Sequence, residues 1–200
     1  PMPGQGPGGP DGGPSIKGRG MGSGFIISPD GYVLTNYHVV EGSTQIRVTT
    51  GDSKKYTATV IGYDSTNDIA VLKLADASNL TTATLDTAKV VVGDKVTAIG
   101  QGGGQGVLYT TSGSVTAVDQ QITASESSTS ANSETLNGLI ETDAQIVPGY
   151  SGGPLLDSDG EVVGIDTAAS STTPITGYAI PISTAVSIAN KIQSGDDSGT

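Results

Sequence analysis

Ser151 lies in Gly149-Tyr150-Ser151-Gly152-Gly153-Pro154, just after the apolar pair Ile146-Val147. A hydroxyl wrapped in glycines is placed to act as a nucleophile. Glycine lets successive backbone N–H groups converge on a developing oxyanion, usually the largest electrostatic contribution to acyl transfer. Gly and Ser also make ordinary turns, so the pattern alone does not establish chemistry. The deciding question is whether a base and an orienting acid stand elsewhere in the chain.

The chain has one histidine, His38. A lone histidine is more often a structural or surface residue than a general base. If a serine–histidine mechanism operates, it must use this one, and the order of the groups becomes readable. An α/β-hydrolase elbow places its histidine after the serine, and none follows Ser151. A subtilisin-like order needs an aspartate before His38, where only Asp11 in a Gly/Pro tract and Asp30 in a Pro-Asp-Gly turn stand. The order His, Asp, Ser remains, with Asp52, Asp64, Asp68, Asp76, Asp86, Asp94, Asp119 and Asp143 between the two ends. The acid must be held rigidly, shielded from water and hydrogen-bonded to the imidazole. Asp68 fits best, because it opens the apolar run Ile69-Ala70-Val71-Leu72, and a carboxylate at the mouth of a buried strand is partly desolvated. Asp64 is the runner-up. His38 closes the β-rich run from Tyr32 and is expected at a strand end.

Three blocks of residues together resemble the HtrA/Deg serine proteases, which have a chymotrypsin-type fold. They are Gly22-Ser23-Gly24-Phe25-Ile26-Ile27 with Thr35-Asn36 and His38-Val39-Val40, then Asn67-Asp68-Ile69-Ala70-Val71-Leu72, then Pro148-Gly149-Tyr150-Ser151-Gly152-Gly153-Pro154. Gly164-Ile165-Asp166-Thr167-Ala168 and Gly177-Tyr178-Ala179-Ile180-Pro181 resemble the segments that line the substrate pocket of that family. The matches run in order from about Gly22 to Ile192. The resemblance implies that Ser151 attacks the scissile carbonyl, His38 acts as base and then acid, and Asp68 orients His38. It also implies an oxyanion hole formed by the N–H groups of Gly149 and Ser151, with Tyr150 between them, and a substrate pocket involving Ile146, Ile165, Thr167 and Ala168. Ile146 and Ala168 carry no charge, so small or medium aliphatic side chains are expected at the cleavage site. An Asp166 turned into that pocket would admit basic ones. Tyr150 departs from the small polar residue usual among HtrA relatives, and either packs to hold the loop or disturbs the oxyanion hole.

Positioning these groups requires two sets of strands. Thirty glycines, abundant Thr and Val, and one convincing helical pattern predict an all-β domain of short strands. Strands are expected near 25–28, 32–35, 45–49, 56–63 and 69–74, and again near 95–99, 108–118, 136–140, 153–156, 161–167 and 177–180. Two such groups suit a chymotrypsin-like double β-barrel with the site between the barrels. The domain is expected over 21–194, barrel one at about 21–75 and barrel two at about 90–182. Ala185, Ile188, Ala189 and Ile192 then predict a C-terminal helix at 184–193 with Ser183 as N-cap. Residues 1–20 read as a flexible Gly/Pro segment that leaves barrel one with five strands, and 195–200 as a polar tail where HtrA relatives often continue into a PDZ domain. Gln120 to Ser133 reads as a solvated loop, and Asp157-Ser158-Asp159-Gly160-Glu161 as a hairpin turn rather than a calcium loop.

Composition narrows the partners. Without cysteine and with one histidine, no metal site is expected, and no cofactor is implied. A formal charge of −11 argues against nucleic-acid binding, which draws its affinity from Lys and Arg on phosphates. No apolar run is long enough to span a bilayer. The resemblance implies polypeptide substrates, a cell-envelope, periplasmic or secreted location with any anchor upstream, and a homotrimer built through N-terminal residues. The competing reading is a catalytically silent, protease-like binding or scaffold domain.

Overall fold

Two features of the sequence organise the fold: strands buried on both faces, and a single amphipathic helix. The structure, a computed structural model, describes residues 22–43, 45–52, 54–101, 108–125, 133–146, 149–167 and 177–193. The first unit contains β1 (Phe25–Ile26), β2 (Tyr32–Thr35), a one-turn helix α1 (Tyr37–Val40), β3 (Ile46–Thr49), β4 (Lys55–Asp64) and β5 (Ile69–Leu74). These strands form a five-stranded antiparallel sheet in the order β1-β2-β5-β4-β3. The second unit contains β6 (Lys95–Gln101), β7 (Leu108–Ser125), β8 (Ser133–Thr142), β9 (Pro154–Leu156), β10 (Val162–Thr167) and β11 (Gly177–Pro181), and closes as a barrel in the order β10-β11-β8-β7-β6-β9. The helix α2 (Ile182–Gln193) follows. The architecture is the chymotrypsin-like one expected, with two curled sheets and a C-terminal helix.

Successive residues of a strand point to opposite faces, and β5 uses both. Ile69 and Val71 join a cluster shared with β8, β10, β11 and α2, whereas Ala70, Leu72 and Leu74 on the opposite face form a second buried cluster with Val33, Val40 and Ala58. The shared cluster, which also takes in Phe25, Leu34, Leu139, Ile165 and Ile182, ties the two sheets together. A separate cluster of Val96, Ala98, Val115, Ile140, Ile146, Tyr150, Leu155, Val163 and Ala179 fills the second barrel.

The helix seals the seam. Its buried residues Ile182, Ala185, Ile188, Ala189 and Ile192 recur at helical spacing. Gly62 of β4 gives Ile192 room, since a Cβ there would lie 2.6 Å from Ile192 Cγ2. Truncation by Ile192→Ala leaves that gap empty and should cost about 2–4 kcal/mol, read as a lower urea midpoint at unchanged slope.

Three local readings need correction. His38 does not end a strand. It lies in α1, whose N–H groups at Tyr37 and His38 are taken by Asp68, a tertiary partner that the local sequence cannot reveal. The helix α2 begins at Ile182, so Ser183 falls inside its first turn instead of capping it. Residues 120–125 and Ser133 are strand instead of loop, and 126–132 lie outside the described residues. These strand residues extend β7 and β8 as a long hairpin with register shifts between Val115 and Ala117, Ala117 and Gln120, and Gln120 and Ile122, and Asp119 takes a left-handed φ of 55° there. By contrast, the 157–161 segment is the hairpin turn between β9 and β10, with Gly160 N–H donated to Asp157 O at 3.0 Å.

Candidate active site

Asp68 lies between the turn that ends β4 and the start of β5, with a left-handed φ of 58° that Asp tolerates better than most residues. It is 3% exposed and fully engaged. Its carbonyl accepts from Tyr37 N–H at 3.1 Å and Asn36 Nδ2 at 3.0 Å. Its Oδ1 accepts from His38 N–H at 2.8 Å, and its Oδ2 lies 2.6 Å from His38 Nδ1. The carboxylate therefore grips both the backbone and the ring of the same residue. Next to a carboxylate, Nδ1 carries the proton, which leaves Nε2 of the neutral imidazole as an acceptor.

Asp64 plays a different part. Its carboxylate takes Asn67 N–H at 3.0 Å and Asn67 Nδ2 at 3.1 Å, closing the turn that delivers Asp68. The aspartate against His38 is Asp68.

Ser151 is 5% exposed, in a loop tied to both units. Its carbonyl accepts from Ser23 N–H at 2.8 Å, Gly152 N–H donates to Asp166 O at 2.8 Å, and Asp166 N–H donates to Gly153 O at 2.8 Å. Ser23 is a connector that sequence reading did not single out. Its Oγ donates to Gly149 O at 2.7 Å and accepts from Gln101 N–H at 2.9 Å, while its carbonyl accepts from Thr35 Oγ1 at 2.7 Å. One short segment thus links the end of β2, which leads to His38, with the serine loop. The adjacent Gly22 fills the remaining gap: a Cβ there would lie 2.6 Å from Val39 Cγ2 and 2.9 Å from Ser151 O. The only available signal was the Gly-Ser-Gly spelling at 22–24.

Gly149 and Gly152 take φ values of 100° and 91°, which a side chain resists. At Gly152 a Cβ would also collide with Ser23 O and Thr35 Oγ1. Gly152→Ala should therefore abolish reaction with a serine-directed probe and lower stability by at least about 2 kcal/mol, measured by labelling and by urea unfolding.

Tyr150 turns its ring into the second barrel and is 3% exposed. It packs against Gly100, where a Cβ would lie 2.6 Å from Tyr150 Cα. Burial raises its phenol above the ordinary value, and the nearby Asp166 and Tyr109 add to this. The side chain anchors the loop from beneath.

The expected pocket residues divide. Ile146 is in the second-barrel cluster and lies 2.8 Å, through its Cδ1, from where a Cβ on Gly177 would be. Ile165 belongs instead to the cluster with α2. Thr167 is buried, and Ala168 lies outside the described residues. The two isoleucines are therefore not brought together. A register shift between Val162 and Gly164 sets the face of each later residue in β10, and it turns Asp166 rather than Ile165 toward the Ile146 side.

A family model described as the trypsin-like peptidase domain matches residues 22–165. The chain belongs to the trypsin-like peptidase family. Its relatives include HtrA-type proteases. It is 41% identical over 187 residues to a Halomonas elongata protein named "Probable periplasmic serine endoprotease DegP-like", covering 90% of this chain and 37% of that one. It is 38% identical over 182 residues to "Serine protease Do-like HtrA" of Bacillus subtilis, covering 88% of this chain and 40% of that one. A solved structure titled "HtrA-type protease AlgW with decapeptide" superposes with a TM-score of 0.76 at 34% identity, covering 88% of this chain and 52% of that one. The domain thus spans about two fifths of the length of these curated relatives and about half of that solved chain.

Proposed function

We propose that this domain is a serine endopeptidase acting on unfolded or misfolded polypeptides, with His38, Asp68 and Ser151 as its catalytic triad. The observation that carries the reading is the double grip of Asp68 on His38, set beside a glycine-wrapped serine loop by Gly22 and Ser23. In this mechanism Ser151 Oγ attacks the scissile carbonyl as His38 Nε2 takes its proton, and Asp68 stabilises the imidazolium. The N–H groups of Gly149 and Ser151 receive the oxyanion, with Tyr150 fixing the loop that carries them. His38 then protonates the departing amine, and water releases the acyl group by the same steps in reverse order.

Ile146 against Gly177, in a barrel interior of apolar residues, supports small or medium aliphatic side chains at the cleavage site. The names of the relatives support a periplasmic or other cell-envelope location. Assembly as a homotrimer through N-terminal residues belongs to the same reading and is checked by light scattering of the purified chain.

The test is digestion of a permanently unfolded protein and of its folded form, with the new ends mapped by mass spectrometry. The expected result is cuts after aliphatic residues in the unfolded protein only, and none with Ser151→Ala. Binding of the unfolded protein without any cut would show a silent binding module in its place.

A further inference from the structure

Asp166 is 0% exposed, and among the described residues neither of its carboxyl oxygens has a hydrogen-bond partner. Its backbone, by contrast, is paired on both sides with the serine loop through Gly152 and Gly153. A lone acid one backbone pairing away from the proposed nucleophile is expensive to keep, since a buried polar group without a partner loses its hydration and gains nothing in return.

Strand geometry shows which way this acid faces. Gly164, two residues earlier on the same face, packs toward Ala179 and Ile140, where a Cβ would lie 3.1 Å from Ala179 Cβ and 3.5 Å from Ile140 Cδ1. That face also holds Ile146 and Tyr150. The titratable group facing Asp166 from the serine loop is Tyr150, with Tyr109 of β7 beyond it. The strand β9 brings none, Tyr178 of β11 packs in the other cluster near Glu141, and Lys191 of α2 is exposed. The described residues place no cation against the carboxyl. Burial without a partner pushes its titration well above the ordinary carboxylate range, which favours the protonated acid in the free domain.

We propose that Asp166 is a specificity-determining residue of the primary side-chain pocket, and that a substrate lysine or arginine supplies the cation this carboxyl lacks. The inference rests on the reading of Ser151 as nucleophile and deepens it. With its proton on, Asp166 presents an uncharged wall and aliphatic side chains are taken. When an ammonium or guanidinium enters, the carboxyl passes its proton to solvent and an ion pair forms. Charge and atoms balance: a neutral acid and a cation give a carboxylate–cation pair and one released proton. Affinity for a basic side chain then rises about tenfold per pH unit until the free carboxyl ionises, and levels off above that. An acid already ionised in the free pocket would show no such slope.

The test uses the Ser151→Ala chain, so that binding is read without turnover. Benzamidine and its uncharged analogue benzamide are titrated calorimetrically between about pH 5 and 8, in two buffers of different ionisation enthalpy. The expected result is benzamidine binding that strengthens with pH and releases close to one proton. Adding Asp166→Asn should weaken benzamidine binding at least tenfold, end the proton release and leave benzamide unchanged. Absence of benzamidine binding, pH-independent binding, or equal binding to Asp166→Asn would overturn the proposal. Stability gives a second readout. A carboxyl raised in the folded state contributes fully below about pH 4, and its contribution is lost as pH rises toward its raised value. Asp166→Asn should therefore remove that decline, and its persistence would count against the proposal. In the parent chain, cleavage after lysine relative to the isosteric norleucine should rise with pH. Benzamidine binding without cleavage of either substrate would refute the peptidase reading while leaving the Asp166 site intact.

Discussion

Exchanging Asp68 for Asn should lower kcat/KM for peptide hydrolysis by about 10⁴-fold, as neutralising a triad aspartate does elsewhere, while the fold survives. The backbone has reason to tolerate the change, because asparagine shares aspartate's ease in the left-handed region that Asp68 occupies at φ 58°. The carbonyl contacts with Tyr37 and Asn36 also remain. What changes is the 2.6 Å contact with His38 Nδ1. An amide directed at that atom with its NH₂ group favours the tautomer with the proton on Nε2, which cannot accept from Ser151, and no negative charge remains to balance the imidazolium. Asp64→Asn is the control. Its carboxylate serves Asn67, so activity should stay within a few-fold of the parent. An equal loss from Asp64→Asn, with Asp68→Asn near parental, would reverse the assignment of the acid.

The larger effect is expected at the nucleophile and the base. Ser151→Ala or His38→Ala should each reduce kcat by about 10⁶-fold, and the double variant should lose little more, because the two groups act as a unit. Independent contributions would multiply, so additivity in the double variant would refute a shared mechanism. Neither change should unfold the domain. Ser151 is held through its backbone by Ser23, and α1 keeps its Asp68 contacts through backbone N–H groups. Circular dichroism and urea midpoints near those of the parent would show that the loss is chemical.

Much of the site was legible because its residues occupy well-patterned places. The run from Ile69 to Leu74 announces a strand buried on both faces, and that pattern favoured the aspartate at its mouth over Asp64. The order of His38, Asp68 and Ser151 was readable because there is only one histidine. The parts that escaped depend on contacts between residues far apart in the chain. The turn α1 exists through a carboxylate 30 positions away, and Ser23 serves Gly149 across 126 positions, which no window of sequence displays. The destination of the Tyr150 ring was undecidable until the barrel that receives it had closed. The separation of Ile165 from Ile146 follows from one bulge in β10 that shifts the alternation and exchanges the faces of an isoleucine and an aspartate, which no reading of residue order alone displays. The long hairpin of β7 and β8 was missed because its polar residues carry no apolar alternation, and cross-strand pairing holds them.

Reaction of the purified domain with a fluorophosphonate, followed by mass mapping of the adduct, tests the central claim most directly. The reagent phosphonylates a serine only when a neighbouring base activates it. The account predicts a single adduct on Ser151, abolished by His38→Ala and slowed severely by Asp68→Asn. An adduct on any other serine, or labelling that persists in Ser151→Ala, would contradict it.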